Sequence, residues 1–271
     1  MDKVKLSQKL TESGIMMALA TILSIFKLVE LPYGGSITFA AMLPIIIIAY
    51  RYGFRWGLLS GATYGLIQML LGMKNLSYAT SAAAVIAIIL LDYMLAFAAT
   101  SLGGLFRKMK EPAAALGVSA LVVCAVRFLF HVISGCTVWA GLSIPTTDAL
   151  LYSLVYNVTY MLPETIITVM AAVYLANVLE FRYPRLAPAK KNSSASDIAL
   201  AAAAGLTAVG ALAAVMAIVF FRLQNAETGE FDITGINNVN FTVILIIAAA
   251  AAAVIIALLA IRSALNKRAA K

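Results

Sequence analysis

The residues that could do chemistry are concentrated between positions 127 and 164, where polar and aromatic side chains interrupt very apolar sequence. This stretch holds the single histidine of the chain, His131, and one of its two tryptophans, Trp139. A polar group costs several kcal/mol to hold in a hydrocarbon layer, so such a cluster is typical of a binding or transport site. The other members of the cluster are Arg127, Tyr152, Tyr156, Asn157, Tyr160 and Glu164.

The surrounding composition is that of an integral membrane protein. Of the 271 residues, 63% are hydrophobic and only 12% are charged, far from the usage of a soluble domain. Strand-like alternation is absent, so helices rather than a barrel must satisfy the backbone in lipid. Eight apolar segments can cross the bilayer, alone or with help from neighbours: 12–30, 38–50, 55–73, 79–104, 113–135, 149–180, 198–221 and 241–262. The sequence therefore predicts an all-α integral membrane protein.

The distribution of charge predicts the topology. With a cytoplasmic N-terminus, 16 of the 20 basic residues lie on the inner side, as the positive-inside rule requires. Both termini are then cytoplasmic, and the net charge of +8 reflects topology rather than nucleic-acid binding. The first segment is predicted to be retained and not cleaved as a signal peptide, because Glu12 opens it and no small-residue cleavage site follows.

A polar stretch rich in Pro and Ser divides the chain. Residues 184–197 predict a cytoplasmic linker between a six-helix membrane domain, 1–183, and an accessory transmembrane hairpin with a basic tail, 198–271. The two apolar segments of the hairpin contain no ionisable residue at their centres. The hairpin therefore offers no candidate site.

Asp92 and the cluster supply the candidate site groups. A bare carboxylate at position 92, deep in the fourth apolar segment, would be costly, so Asp92 either pairs with Arg127 or faces a ligand. Arg127 and His131 are four residues apart and share a helix face. His131 is either a satisfied polar group or a ligand contact, and Trp139, just past the end of this helix, belongs either to an interfacial aromatic belt or to the site.

The sixth segment carries a polar, aromatic face. Tyrosines recur every four residues and lead to Glu164, with Asn157 beside them. Pro163 removes a backbone hydrogen bond next to Glu164, so this carboxylate either supports a kink or faces the site. The tyrosines of this face are Tyr152, Tyr156 and Tyr160.

The loop 31–38 combines Tyr33 with Gly34 and Gly35. Such a loop either folds over a pocket mouth or forms a plain turn. Tyr78, on the same outer side, could line the mouth or mark the membrane interface.

Several missing motifs limit the function. The sequence contains no GxxxxGK[ST], HExxH or GxSxG, and Cys124 and Cys136 match no metal-ligand spacing. The prediction is a protein that is not an enzyme, holds no cofactor or metal, and does not hydrolyse ATP in the P-loop manner. Carboxylates, aromatic faces, an amide and an imidazole suit an aromatic organic cation, whose attraction to an aromatic ring is worth about 2 kcal/mol when desolvated.

Four sequence stretches resemble one known family. The loop 31–38, LLDYMLAF around Asp92, RFLFHVISGCTVW ending at Trp139, and YSLVYN ending at Asn157 resemble the thiamine-specific S components (ThiT) of energy-coupling factor (ECF) transporters. The resemblance covers about residues 8–183. It implies a six-helix protein of the bacterial cell membrane that captures thiamine from outside and docks onto a transmembrane T component and two ATPases.

The resemblance also implies site residues. Positions matching Asp92, Tyr93, His131, Trp139, Tyr152 and Asn157 line the thiamine pocket, although family members typically carry Glu where Asp92 stands. Gly14 and Ala18 show the small-residue spacing of the helix that docks the T component. The alternative from the residues alone is a self-sufficient, proton-coupled secondary transporter of an organic cation, against which stands the lack of an obvious inverted repeat.

Overall fold

The structure is a computed structural model that describes residues 5–141, 146–181, 186–188, 195–225 and 232–269. It contains two compact units, Met1–Ala189 and Lys190–Lys271. The helices of the first unit are α1 (Leu6–Ile25), α2 (Leu43–Tyr52), α3 (Phe54–Leu71), α4 (Ala82–Lys108), α5 (Pro112–Gly141) and α6 (Thr146–Val178); those of the second are α7 (Ala195–Arg222) and α8 (Phe241–Ala269). The predicted fold class, a six-helix bundle followed by a two-helix hairpin, is confirmed.

Among the described residues, five helices are long and apolar enough to cross a membrane: α4, α5, α6, α7 and α8. The chain is a multi-pass membrane protein. The second apolar segment of the sequence folds as the ten-residue helix α2, which is too short to span a bilayer of about 30 Å alone. Its residues Leu43–Arg51 are all buried, so α2 forms the centre of the first unit and the longer helices shield it.

The helix of the first apolar segment begins and ends earlier than the sequence predicted. Helix α1 ends at Ile25, and the residues that follow form strand β1 (Lys27–Glu30), which pairs antiparallel with β2 (Ser36–Thr38). The assignment of 12–30 to a single span was therefore wrong at its end. The charged residues Lys27 and Glu30 lie where the apolar run stops, and the backbone groups there form hydrogen bonds between β1 and β2. The sixth segment likewise gives way to a two-residue strand, Leu179–Glu180, which pairs with Ala187–Pro188.

A buried ion pair closes the end of the first unit opposite the β1–β2 hairpin. Arg51 is only 6% exposed, and its Nε and Nη2 donate to Glu12 on α1 at 3.0 and 3.2 Å. Its Nη1 donates to the carbonyl of Phe181 at 2.7 Å. The guanidinium is thus hydrogen-bonded on two sides, as a buried charge requires, and it connects α1, α2 and the segment that follows α6.

Helix α3 packs closely on its neighbours through a stripe of glycines. Gly57, Gly61 and Gly65 lie four residues apart and are buried, so they share one face of the helix. A methyl group on Gly61 would lie 2.5 Å from both the carbonyl oxygen of Phe97 and the hydroxyl of Thr100 on α4. Side chains larger than hydrogen are therefore excluded where α3 meets α4.

Helix α4 changes its winding at the candidate site. Residues Ile88–Leu95 adopt a π-helical turn, a wider form that is rare and is often found at functional sites. Asp92 and Tyr93 both lie within it. The wider turn lets these two consecutive residues line the same cavity, as described below.

The second unit consists of the helices α7 and α8, and a backbone hydrogen bond joins the residues that follow α7 to those that precede α8. After α7, the backbone amide of Asp232 donates to the carbonyl of Leu223 at 2.8 Å, and the Asp232 carboxylate caps the next short helix by accepting from Thr234. Most side chains of α7 and α8 are exposed. Such apolar exposure is that of helices embedded in lipid.

The glycine stripe generates the first prediction. Gly61→Ala will lower the thermal stability of the detergent-solubilised protein, because overpacking a tight contact typically costs about 1–3 kcal/mol. The matched control is Gly14→Ala, since a methyl group there meets no atom within 4 Å and alanine favours the helix. An unchanged melting temperature for Gly61→Ala, measured beside Gly14→Ala, would contradict the close contact.

Candidate functional site

A cavity of about 500 Å³ lies inside the first unit, within the size range of small-molecule sites. Helices α1, α3, α4, α5 and α6 and the β1–β2 hairpin contribute to its wall. Twelve of the residues singled out from the sequence line it: Tyr33, Gly34, Gly35, Tyr78, Asp92, Tyr93, Arg127, His131, Tyr156, Asn157, Tyr160 and Glu164. The fold thus brings together candidate residues from four separate sequence stretches.

Asp92 is held by two side chains of α5. His131 Nδ1 lies 2.7 Å from one carboxylate oxygen, and Ser134 donates its hydroxyl to the other at 2.8 Å. A carboxylate only accepts hydrogen bonds, so Nδ1 carries the proton of the imidazole. An ionised carboxylate offers about four acceptor positions, and two of them remain for another group. The carboxylate is therefore fixed in position and can still accept.

The alternative that Asp92 pairs with Arg127 is not what forms. No ion pair joins these two side chains in the described part of the chain. The Arg127 guanidinium instead lies 4.7 Å from the centre of the Phe97 ring, and its buried Nε has no hydrogen-bond partner among the described residues. Cation–π contact with Phe97 therefore stabilises Arg127, which lines the cavity without neutralising Asp92.

Glu164 anchors strand β2 to α6. Its carboxylate accepts the backbone amide of Thr38 at 2.6 Å and the hydroxyl of the same residue at 2.7 Å. The sequence left open whether Glu164 supports a kink beside Pro163 or faces a site. In the structure Glu164 lines the cavity, and its two hydrogen bonds hold the end of the β1–β2 hairpin. It therefore anchors the hairpin rather than stabilising a kink in α6.

A second anchor and a group of aromatic rings hold the loop of the hairpin. The backbone amide of Gly35 donates to the Tyr156 hydroxyl at 2.8 Å. Tyr33 has a left-handed φ of 65°, and its ring packs edge-on against Tyr78 and Tyr156 at centroid distances of 5.2 and 6.3 Å. Tyr33, rare in this conformation for a non-glycine residue, is held over the cavity by these rings.

Asn157 links α6 to α5, and both the nitrogen and the oxygen of its amide form hydrogen bonds. Its nitrogen donates to the carbonyl of Ser153 at 2.8 Å and to that of His131 at 3.3 Å, and its oxygen accepts the Tyr160 hydroxyl at 2.6 Å. This network fixes His131 relative to α6. Asn157 therefore positions its neighbours as well as lining the cavity.

Two other predicted site residues, Tyr152 and Trp139, are not among the residues that line the cavity in the described part of the chain. Tyr152 is half-buried on α6 and does not line the cavity. Trp139 was placed just past the end of its helix, and this placement was wrong, because α5 continues to Gly141. The Trp139 side chain lies outside the described residues.

Sequence reasoning missed several residues at or beside the cavity, because single polar residues in apolar helices give little signal. Ser134 bonds Asp92 from behind the cavity wall; it lies three residues after His131 and so on the same helix face, a spacing that could have identified it. Near the rim, Lys27 and Lys74 both contact Glu30, at 2.6 and 3.3 Å, and hydrogen bonding to Lys27 lowers the pKa of Glu30. Lining residues that were missed include Ser24, Tyr64, Gln68, Gly72 and Asn75.

The predicted docking residues lie away from the cavity. Gly14 and Ala18 are exposed on α1, whereas Ser13 and Ala20 are buried against the unit. The opposite side of α1 is held by hydrogen bonds, from Trp56 to Ser13 at 2.9 Å and from Gln68 to Ser24 at 3.1 Å. One face of α1 is thus open, and its small residues would allow close approach of another helix.

Comparison with known proteins gives consistent results. Residues 10–182 match the family model described as thiamine transporter protein (Thia_YuaJ). The chain is 33% identical over 179 residues to the thiamine transporter ThiT of Bacillus subtilis (strain 168), covering 62% of this chain and 89% of that protein. The solved structure of ThiT from Listeria monocytogenes superimposes with a TM-score of 0.51 at 23% identity, over 62% of this chain and 92% of that one. All of the family match lies in the first unit.

The anchors of the hairpin generate the second prediction. Glu164→Gln will speed hydrogen exchange in residues 31–38, because one of two hydrogen bonds to a charged group is lost. Such a bond contributes about 1.5–3 kcal/mol, which corresponds to roughly ten- to hundredfold faster local opening. Glu111→Gln, at an exposed position, is the control. Equal exchange in all three proteins would show that Glu164 does not anchor the hairpin.

Proposed function

The chain belongs to the thiamine transporter protein family, and from this premise we propose that it is a thiamine-binding S component of an ECF-type transporter. The family match covers residues 10–182, the part of the chain that contains the cavity. In this proposal the first unit captures thiamine and acts as a carrier rather than an enzyme. The observation that carries the proposal is the Asp92 carboxylate, fixed by His131 and Ser134 inside a cavity with aromatic walls.

The chemistry of the cavity suits thiamine. The thiazolium ring carries a permanent positive charge on a nitrogen without a proton, and Asp92 neutralises this charge by electrostatic attraction. Of the other carboxylates that line the cavity, Glu164 is bound to Thr38 and Glu30 is paired with lysines. Asp92 also has two partners, but its side chain is 24% exposed whereas Glu164 is only 7% exposed, so Asp92 is the carboxylate best placed to meet the cation. The tyrosines offer ring faces and edges for the two aromatic rings of the ligand.

The direction of uptake follows from charge. We take the end that carries the β1–β2 hairpin as the outer side, because this topology places 16 of the 20 basic residues inside. Thiamine then enters between the hairpin and the turn Met73–Tyr78. The N-terminus, the C-terminus and the Glu12–Arg51 pair lie on the cytoplasmic side.

In this proposal a partner supplies the energy, since the sequence contains no phosphate-binding loop for ATP. We assign this role to an ECF module composed of a transmembrane T component and two ATPases. The exposed face of α1 around Gly14 and Ala18 is the surface we assign to the T component. Small residues suit this role because two helix backbones can approach closely over them.

The third prediction tests the cation site. Asp92→Asn will weaken thiamine binding at least a hundredfold, because removing one member of a buried charge pair costs about 3–5 kcal/mol. Binding is measured by fluorescence in a Trp56→Phe background, so that Trp139 is the only reporter. Asp148→Asn is the matched control, since Asp148 is exposed at the start of α6. Unchanged affinity in Asp92→Asn would remove this residue from the site.

The fourth prediction tests the partner. Gly14→Leu and Ala18→Leu will abolish thiamine uptake by proteoliposomes that contain the chain with its ECF module, while thiamine affinity of the isolated chain stays the same. Ala125→Leu, an equal enlargement at an exposed position of α5, will leave both unchanged. Uptake by the chain alone, driven by a proton gradient, would instead establish the secondary transporter.

A further inference from the structure

The side chain of Gln68 on α3 presents an accessible hydrogen-bond acceptor at the cavity. Gln68 is half-buried and lines the cavity. Within the described part of the chain its side chain makes one hydrogen bond, from Nε2 to the Ser24 hydroxyl on α1 at 3.1 Å. Its Oε1 bonds none of the described residues, yet it is not one of their buried unpaired atoms. The oxygen is therefore accessible to a molecule in the cavity.

The Ser24 hydroxyl fixes the orientation of this amide. Ser24 Oγ donates its only proton to the carbonyl of Thr21 at 2.8 Å, so it offers only lone pairs to Gln68. The amide must turn its nitrogen towards Ser24, because two acceptors that face each other form no hydrogen bond. Oε1 is consequently the atom left for a ligand, and its orientation is set before a ligand binds.

Gln68 lies beside Tyr93, the neighbour of Asp92 in the π-helical turn. Gly65, Gln68 and Gly72 are three and four residues apart and so share one face of α3. A methyl group on Gly65 would lie 2.7 Å from the Tyr93 carbonyl oxygen, and one on Gly72 would overlap the Tyr93 hydroxyl. This face of α3 thus packs on Tyr93 from its backbone to its hydroxyl. Gln68, between the two glycines, adjoins the part of the cavity that Asp92 and Tyr93 line.

An accessible amide oxygen needs a donor from whatever occupies the cavity. In contact with solvent such an oxygen bonds to water, but a ligand that displaces the water leaves it unpaired unless the ligand brings a donor of its own. An unpaired buried acceptor costs more free energy than a neutral hydrogen bond contributes. Gln68 therefore selects for a ligand with an uncharged donor at this position.

We propose that Gln68 is a specificity-determining residue whose Oε1 accepts a hydrogen bond from the hydroxyl of thiamine. This assignment rests on the proposed function, in which Asp92 meets the thiazolium ring. The hydroxyethyl group is attached to that ring, whereas the other uncharged donor of thiamine, its amine, belongs to the pyrimidine ring beyond a methylene bridge. Because Gln68 adjoins the neighbour of Asp92, the hydroxyl is the donor that it meets.

The consequence is discrimination at the position where a phosphate ester would be attached. An ester has no hydroxyl proton and brings acceptor oxygens against Oε1, so both groups stay unpaired. Sites built to hydrogen-bond one substrate group reject analogues that lack it, because the site is left with an unsatisfied polar atom. Gln68 therefore favours thiamine over thiamine monophosphate.

The test measures the affinity of full-length variants for four ligands by titration calorimetry: thiamine, its analogue with an ethyl in place of the hydroxyethyl group, oxythiamine, and thiamine monophosphate. Gln68→Met removes the acceptor and keeps the length of the side chain. It is expected to weaken thiamine and oxythiamine binding about tenfold, the size of one neutral hydrogen bond. Affinities for the ethyl analogue and the monophosphate are expected to stay the same or improve.

Two further variants accompany Gln68→Met. Leu66→Met introduces the same side chain at an exposed position of α3 that does not line the cavity. It is the matched control and is expected to leave all four affinities unchanged. Ser24→Ala removes the group that orients the amide. It is expected to weaken thiamine binding less than Gln68→Met does, and again without weakening the ethyl analogue.

Three results would overturn the proposal. An equal loss for thiamine and the ethyl analogue in Gln68→Met would assign Gln68 a purely structural role. A loss that persists with the ethyl analogue and vanishes with oxythiamine would move the contact to the amine. Unchanged thiamine affinity would remove Gln68 from the site. Absence of thiamine binding by the unchanged protein would overturn the proposed function itself, an outcome distinct from these three.

Discussion

Carboxylates are costly to hold among apolar helices, so each of those in the first unit needs hydrogen bonds from another element. The packing of the first unit depends on these bonds. Glu12 on α1 receives Arg51 from α2, and Glu164 on α6 receives Thr38 from β2. Asp92 on α4 receives His131 and Ser134 from α5. Between them these contacts connect α1 to α2, α6 to the hairpin and α4 to α5. The hydrogen bonds that satisfy the buried carboxylates are therefore the same contacts that hold these elements together.

These three carboxylates differ in what is left after they are satisfied. Glu12 also accepts the Tyr52 hydroxyl and the Gln8 amide, so it is enclosed by donors. Glu164 is bound by two groups of one residue, and its role is confined to holding that residue. Asp92 has two partners on one helix and lies at a cavity. Glu164 keeps as many acceptor positions as Asp92 but is only 7% exposed, whereas the Asp92 side chain is 24% exposed. This accessibility separates the candidate binding group from the structural ones.

The sequence predicted most of the fold because long apolar runs and basic loops leave few arrangements for a membrane protein. It also identified the main polar members of the cavity, since Asp92, His131 and Glu164 are conspicuous in apolar surroundings. It failed where tertiary contacts decide. The partner of Asp92 was sought in Arg127, yet the nearer donors are His131 and Ser134. A serine in an apolar helix has no distinctive pattern, so the role of Ser134 emerges only when α4 and α5 are brought together.

The π-helical turn Ile88–Leu95 limits how the number of residues in α4 can vary. An α-helix turns by about 100° per residue, so losing or gaining one residue ahead of Asp92 would rotate its carboxylate away from α5. The wider turn allows Asp92 and Tyr93 to line one cavity while the glycine contacts with α3 keep the rest of α4 in register. Helix α4 should therefore accept many substitutions on its exposed face but no single-residue deletion or insertion between its start and Asp92. The spacing along α4 is under tighter constraint than the identity of most residues in it.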